Sequence, residues 1–351
     1  MSLRVGLTYN LKRRIAGNEK LPEDYYAEFD EEETINAIAA AIAKSGCIVA
    51  KIEADKKAYG KLQRLRPDIV FNIAEGLRGE SREAQIPAIL ELLGIPYTGS
   101  GPSALTMSLN KALTHQILAA NRIPSPLYQI FTSSDTRVGR WLRFPLVVKP
   151  LAEGSGKGVR SSSLVKDAES LRKQVSWVTT TYHQAAIVEE FLPGREFTVG
   201  LIGNDEPTVL PIVEIQLDKL PKGSSPLYSY EAKWIWDTPE KPLDMFTCPA
   251  QISDRLENGI RRIAAKAFKI LDCRDICRID VRLDDEGKPH VLEVNPLPGM
   301  IPDPAAHSCL PEAARAAGYT YDQLVCTIFW QALKRYGRQE KLEDPSLVKL
   351  S

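Results

Sequence analysis

A chain of 351 residues, 44% hydrophobic and 26% charged, is long enough for two or three domains with sizeable cores. Lys+Arg and Asp+Glu both total 45, and a formal net charge of zero argues against a protein that holds nucleic acid by bulk charge. The six cysteines form no CxxC pair, the N-terminus MSLRVGLTYN lacks an apolar signal core, and no apolar run approaches the ~18 residues of a membrane span. These features predict a reduced, soluble, cytoplasmic globular protein with neither a nucleic-acid nor a membrane partner.

In chain order, the first predicted element is a strand over 3–9. A helix follows over 30–46, with Asp30 as N-cap, Glu33 at N3, an apolar stripe of Ile35, Ile38 and Ile42, and Gly46 closing it. Next come a strand over 47–53, a short helix near 57–66, a strand over 68–74, a helix over 82–94 and a strand over 95–99. Strands alternating with helices predict an α/β unit with a parallel sheet, its functional loops at the strand C-termini.

A second unit begins near Leu109. It holds a helix over 110–122, strands over 127–131 and 145–150, a glycine loop, and a strand over 186–191. A third unit runs from Leu192 to Tyr336. Its predicted elements are a strand over 196–203, a strand over 208–215, a Pro/Gly/Ser-rich segment over 217–250 and a helix over 252–271. A hairpin over 276–295 and a helix over 320–337 complete it, leaving a peripheral tail from Arg338. No internal repeat is visible.

The hairpin carries the strongest chemical signal. Arg278 and Asp280 alternate along one strand, DDEG (284–287) turns the chain, and Glu293 and Asn295 lie two apart on the other. One face can therefore gather two carboxylates, an amide oxygen and an arginine, the hard ligands that suit Mg²⁺ shared with phosphates and a cation that suits a developing anion. A salt-bridge network, Arg278 with Glu293 and Arg282 with Asp280, explains the same residues, and the sequence leaves both open.

The stretch KPLAEGSGKGV (149–159) delivers Lys149 to a strand end, and Gly154, Gly156 and Gly158 allow backbone N–H groups to wrap phosphate oxygens. The spacing is not that of a Walker loop. In EEFLPGREF (189–197), Glu189 and Glu190 end an apolar strand before a Pro-Gly turn. This reads either as an ordinary hairpin or as a hinge that offers backbone groups to an adenine and a carboxylate to a ribose.

Taken in order, Lys111, KPLAEGSGKGV, VEEFLPGREFTVG, YSYEAKW (228–234) and CRIDVRLDD…HVLEVNPLPGM resemble the ATP-grasp fold over about residues 65–335. GIPYTGSGPSALTMSLNK (94–111) and LEVNPLPGM resemble its D-alanine–D-alanine ligase branch. The resemblance implies three domains, 1–108 (Rossmann-like), 109–191 and 192–337, plus the tail 338–351, with ATP between the last two domains. It also implies a two-step reaction: a substrate carboxylate takes the γ-phosphoryl group of ATP, and an amine then displaces phosphate from the acyl phosphate.

Carried over by position, Lys111 and Lys149 match phosphate-binding lysines, and Glu153 and Ser155 lie in the loop over the phosphates. Glu189, Glu190, Phe191, Leu192 and Glu196 match the adenine and ribose contacts. Lys233 matches the lysine of a mobile closing loop, Asp280, Glu293 and Asn295 the ligands of two Mg²⁺ ions (Mn²⁺ as substitute), and Arg278 the transition-state arginine. Arg278, Lys233 and Ser155 are the catalytic candidates. The partners implied are amino-acid-like small molecules, with a cell-wall dipeptide as the simplest product. Dimers are common in the family, so a homodimer is implied by analogy alone.

Four departures concern substrate recognition. The glycine-serine-glutamate motif expected after the first strand is replaced by TYNLKRR (8–14). Glu28, Glu32 or Glu33 can stand in for it, or these are helix-capping acids. Glu75 stands where the family has a histidine, either favouring a cationic group on the substrate or pairing with Arg78 or Arg82. Trp234 replaces a tyrosine of the closing loop. An insertion over 301–311 precedes Ser308, the plausible holder of the second substrate's carboxylate, with His307 beside it. The readings to be weighed are therefore a D-alanine–D-alanine ligase, the same chemistry on other amino acids or a natural-product intermediate, and a non-catalytic ATP-binding protein. A binding module has little use for a transition-state arginine.

Overall fold

A computed structural model describes residues 2–13, 21–238, 241–306, 308–339 and 345–349. Near the N-terminus lie β1 (Arg4–Tyr9), α1 (Glu32–Lys44), β2 (Ile48–Glu53), α2 (Ala58–Leu65) and β3 (Ile69–Asn72). The strands form a parallel sheet in the order β2-β1-β3. Burial of Ile35, Ile38 and Ile42 docks α1 on it, as their spacing requires.

The expected Asp30–Glu33 capping box does not form. Glu31 is the N-cap and makes no side-chain cap bond, while the side chain of Asp30 lines a cleft instead. A 3₁₀ turn (Arg82–Ala84) opens α3 (Gln85–Leu93), which Gly94 closes in the left-handed region at φ 65°. The strand expected over 95–99 is reduced to one bridge, Val70 with Tyr97. Pro96 lacks an N–H, so the ladder cannot extend, and the chain moves on into α4 (Pro102–Leu109).

Asn110 accepts a hydrogen bond from Leu113 N and so caps α5 (Lys111–Ala120). The next sheet is antiparallel. It comprises β4 (Tyr128–Phe131), β5 (Leu146–Pro150), β6 (Leu164–Val165) and β7 (Ala186–Glu190) in the order β4-β7-β5-β6. Between β6 and β7 runs α6 (Ala168–Tyr182), a helix absent from the expected elements.

The third sheet is built on β8 (Glu196–Gly203). The strand expected over 208–215 is split into β9 (Thr208–Val209) and β10 (Val213–Ile215), because Pro211 cannot donate to the ladder between them. After β11 (Phe246–Thr247), Ser253 caps α7 (Asp254–Ile270), followed by β12 (Asp275–Leu283) and β13 (Pro289–Asn295). The path is β11-β10-β8-β12-β13, with β9 beside β8. The expected 320–337 helix is α9 (Tyr321–Arg335), capped by Thr320 and Gln323. The unexpected α8 (Cys309–Ala316) precedes it.

Two cores cross these sheets. One joins Leu3, Val5 and Ile38 near the N-terminus to Val325, Ile328 and Phe329 of α9. The other places Leu118 of α5 and Ile123 with Phe268 of α7 and the inner faces of β8 and β12. No described helix is long and apolar enough to cross a membrane.

Candidate active site

The β12–β13 hairpin pairs Arg278 with Asn295 and Asp280 with Glu293, so the four side chains expected on one face share it. The register shifts between Asp280 and Val281, leaving Leu292 as an extra residue on β13. Leu292, Glu293, Val294 and Asn295 all line the cleft beside this bulge. The cleft encloses about 440 Å³. Every site residue expected from the sequence over 75–308 lines it, apart from His307, which lies outside the described residues.

The anticipated salt-bridge alternative has different partners. Arg278 donates to Asp280 through Nε (3.0 Å) and Nη2 (2.9 Å), and Arg282 donates through Nη1 to Glu196 (2.9 Å). Thr198 Oγ1 (2.6 Å) and Asn295 Nδ2 (3.1 Å) complete the bonds to Asp280. Burial opposes the charge on Arg278, but Asp280, joined by Cys309 and Glu293, raises its pKa above the ordinary value. Glu293 pairs with Lys111 at 2.8 Å. Burial would raise its pKa, yet Lys111, Lys149 and Arg278 bring it down to about 2.

β5 and β7 place Lys149 beside Glu189 at 2.6 Å, and His115 Nε2 lies 3.1 Å from the other Glu189 oxygen. Burial disfavours both charges, but the pair reverses this: Lys149 is raised and Glu189 falls to about 2. Glu190 accepts from Leu127 N at 2.9 Å, Leu192 is buried, and the Arg282 guanidinium lies 4.9 Å from the Phe191 ring centre. Glu196 is raised by burial despite Arg282.

The glycine loop is held from three sides. Gly154 N donates to Glu28 at 2.7 Å, and Lys111 Nζ donates to the Glu153 carbonyl. Lys157 bridges Glu28 (3.0 Å) and Glu153 (2.5 Å), while Arg82 bridges the same two acids at 2.8 and 3.1 Å. Glu28 is therefore no capping acid: burial opposes its charge, but Arg82 and Lys157 hold its pKa near about 2. Glu32 and Glu33 sit exposed in the first turn of α1, where acids suit the helix dipole. A Cβ on Gly158, at φ +70°, would stand 2.3 Å from Pro150 Cγ, so only glycine fits this turn.

A π-helical turn (Ala232–Trp236) carries Lys233 and Trp234 over the loop. Trp234 Nε1 donates to the Ser155 carbonyl at 3.3 Å, and Tyr230 N to Val159 O at 2.8 Å. Lys12 stands 5.0 Å above the Trp234 ring, and Lys233 stands 4.6 Å above Tyr228. Burial and then Arg278 lower the pKa of Lys233. Ser308 stands at the N-cap position of α8 without a side-chain cap bond, and its hydroxyl donates to Gly299 O at 3.3 Å. Among the described residues Glu75 forms an ion pair with neither Arg78 nor Arg82, the latter being committed to Glu28 and Glu153.

Sequence reasoning gave no site role to Thr198, Glu83 or Cys309 and only a capping role to Asp30, yet all four line the cleft. Thr198 was findable, because the alternation of β8 aims it at the same face as Glu196. Glu83 carried no such signal, sitting in a 3₁₀ turn that breaks helical periodicity. Cys309 shows its thiol to the cleft, where burial, partly offset by Arg278, pushes its pKa up to about 11.

Among the described residues no three His, Cys, Asp or Glu side chains make a metal cage. Two carboxylates and an amide oxygen do fit Mg²⁺, which completes its shell with phosphate oxygens and water. The arrangement can thus bind a polyphosphate between Lys111, Lys149, Lys233 and Arg278, with a metal at Asp280, Glu293 and Asn295.

A model of the family described as "D-ala D-ala ligase C-terminus" matches residues 117–329. The chain is 34% identical over 316 residues to a D-alanine–D-alanine ligase of Carboxydothermus hydrogenoformans, covering 88% of this chain and 94% of that one. It is 36% identical over 310 residues to an uncharacterized protein, y4sG, of Sinorhizobium fredii, covering 86% and 88%. The crystal structure of a D-alanine–D-alanine ligase from Bacillus anthracis complexed with ATP superposes with a TM-score of 0.70 over 97% of this chain and 100% of that one, at 23% identity. Fold, cleft and sequence agree, and the chain belongs to the D-alanine–D-alanine ligase family of ATP-grasp proteins.

Proposed function

We propose that the chain is an ATP- and Mg²⁺-dependent ligase that joins a carboxylate to an amine through an acyl phosphate, with D-alanine on both sides as the simplest pair. The single observation that carries this is the convergence of Lys111, Lys149, Arg278, Asp280, Glu293 and Asn295 on one cleft. The chain is 31% and 34% identical to relatives named D-alanine–D-alanine ligase, which supports the same reading. Such an enzyme would act in the cytoplasm and supply the dipeptide of peptidoglycan. Three separate sheets support domains over 1–108, 109–191 and 192–337, with 338–351 as a tail.

Lys111 and Lys149 are the cations that take the phosphates. Glu189, Glu190, Phe191, Leu192 and Glu196 line the nucleoside end. Bound Mg²⁺, held by Asp280, Glu293 and Asn295, would neutralise phosphate charge. In the first step a carboxylate oxygen attacks the γ-phosphorus and the bond to ADP breaks. Arg278 and Lys233 offset charge on the phosphoryl group in flight. In the second step an amine attacks the acyl carbon, the C–O bond to phosphate breaks, and the amine loses a proton. Ser155 and Trp234, by closing loop on lid, keep water from the acyl phosphate.

The test is ADP release with ATP, Mg²⁺ and D-alanine, with the D-alanyl-D-alanine product identified by mass spectrometry. Turnover supports the ligase. Tight ATP binding with no amino acid giving ADP would instead favour a non-catalytic ATP-binding protein.

A further inference from the structure

One wall of the cleft is acidic. It presents Asp30, from the segment before α1, Glu75, from the loop after β3, and Glu83, from the turn that opens α3. Glu83 is only 7% exposed, and among the described residues it forms no hydrogen bond or ion pair. Glu75 and Asp30 likewise pair with no described cation through their side chains. The nearby cations are committed: Arg82 and Lys157 to Glu28 and Glu153, and Lys12 to Glu31 at 3.1 Å.

Glu83 is buried and Asp30 and Glu75 are half-buried, and carboxylates so enclosed without cations are costly and are normally removed or held neutral. Burial, reinforced by Glu28 and Glu293 and opposed by Arg82 and Lys111, brings Glu83 to about 8. Burial and then Glu31 bring Asp30 to about 7. Glu83 also feels Lys111 and Glu293, so this wall adjoins the end of the cleft where a carboxylate would meet the γ-phosphate. A single α-ammonium brings one charge and three N–H donors, and would leave at least one of these acids without a cation.

We propose that Asp30, Glu75 and Glu83 form a subsite for a second cationic group on the acid that the ligase activates. The preferred first substrate is then a dibasic amino acid, bearing a side-chain ammonium or guanidinium beyond its α-ammonium. The inference rests on the ligase reading above and narrows its substrate class. The departure at Glu75 acquires a reason: carboxylates on this wall attract a side chain that a neutral methyl group cannot replace.

Both enantiomers of alanine, ornithine, lysine and Nε-acetyl-lysine, assayed for ADP release with ATP and Mg²⁺, test it. The expected kcat/KM for ornithine or lysine exceeds that for alanine by at least about tenfold, and acetylation of the side-chain amine removes the advantage. Glu83→Gln should erase the preference through KM while leaving the ATP Kd within about threefold. Alanine equal to or better than the dibasic acids, or indifference to acetylation, overturns the subsite and leaves the ligase standing. If no amino acid releases ADP, the ligase reading fails, and calorimetry on the ATP-loaded protein decides the subsite separately. Lysine binding about tenfold tighter than Nε-acetyl-lysine supports it, and equal or no binding overturns it.

Discussion

Arg278 clasps Asp280 through two parallel hydrogen bonds, yet it also lines the cleft where a phosphoryl group would pass. Arg278→Ala should lower kcat by about 10²–10³ and change the ATP Kd far less, as expected for a donor used mainly in the transition state. Steady-state kinetics beside nucleotide titration checks this, and unchanged turnover would remove the role. The buried acids divide by sign. Glu28, Glu189 and Glu293 sit near about 2, below their ordinary 4.5, so their stabilisation is present above pH 4.5 and lost as pH falls through 2. Glu83, raised to about 8, does the reverse: its contribution is full below 4.5 and is lost as pH rises through 8. Glu83→Gln should therefore flatten the alkaline side of a Tm-against-pH curve and raise stability above pH 8, by on the order of 1–3 kcal/mol. Residues on strands were the legible ones: two-residue alternation put Arg278, Asp280, Glu293 and Asn295 together before any coordinates did. Glu83 was not, because a short 3₁₀ turn imposes no period from which its direction follows.

At the scale of elements, the glycine loop and the π-helical turn act as one cover, joined by Trp234 to Ser155 and Tyr230 to Val159. Trp234→Ala should loosen that cover. The ratio of ADP to amide product is expected to rise above one as water reaches the acyl phosphate, read by comparing nucleotide and dipeptide yields. A ratio that stays at one would show that the tryptophan has no part in excluding water. The cover's glycines and Lys233 were visible in the sequence, but the π turn was not, since a single widened turn leaves no repeat to detect. Elements with caps and a stripe were legible. α6 was passed over although Asp167 caps it and Leu171, Val175 and Val178 mark its buried face, because the polar TTTY end obscures the stripe. The strands over 95–99 and 208–215 failed at Pro96 and Pro211, where a missing N–H outweighs β-propensity.

At the scale of the whole molecule, the parallel sheet near the N-terminus and the last long helix share one core, with the Phe71 and Phe329 rings 6.4 Å apart. Phe329→Ala should cost about 3–5 kcal/mol and lower the Tm in a single transition spanning both regions. Two separated transitions would show that they unfold independently. A sequence read piece by piece could not expose this contact, because its partners are more than 250 residues apart and each looks like an ordinary apolar stripe. The family signature, residues 117–329, contains most of α9 and the strands β8 and β12 beside it, but neither α1 nor the N-terminal sheet that shares its other face. Cut out at those limits, the segment would keep Lys149, Lys233, Arg278 and the residues for the metal, lose Lys111, and still present the naked flank of Val325, Ile328 and Phe329 to water. The stretch by which the chain is classified is therefore not a stretch that can stand by itself, and any excised piece meant to retain the chemistry has to bring residues 4–72 along.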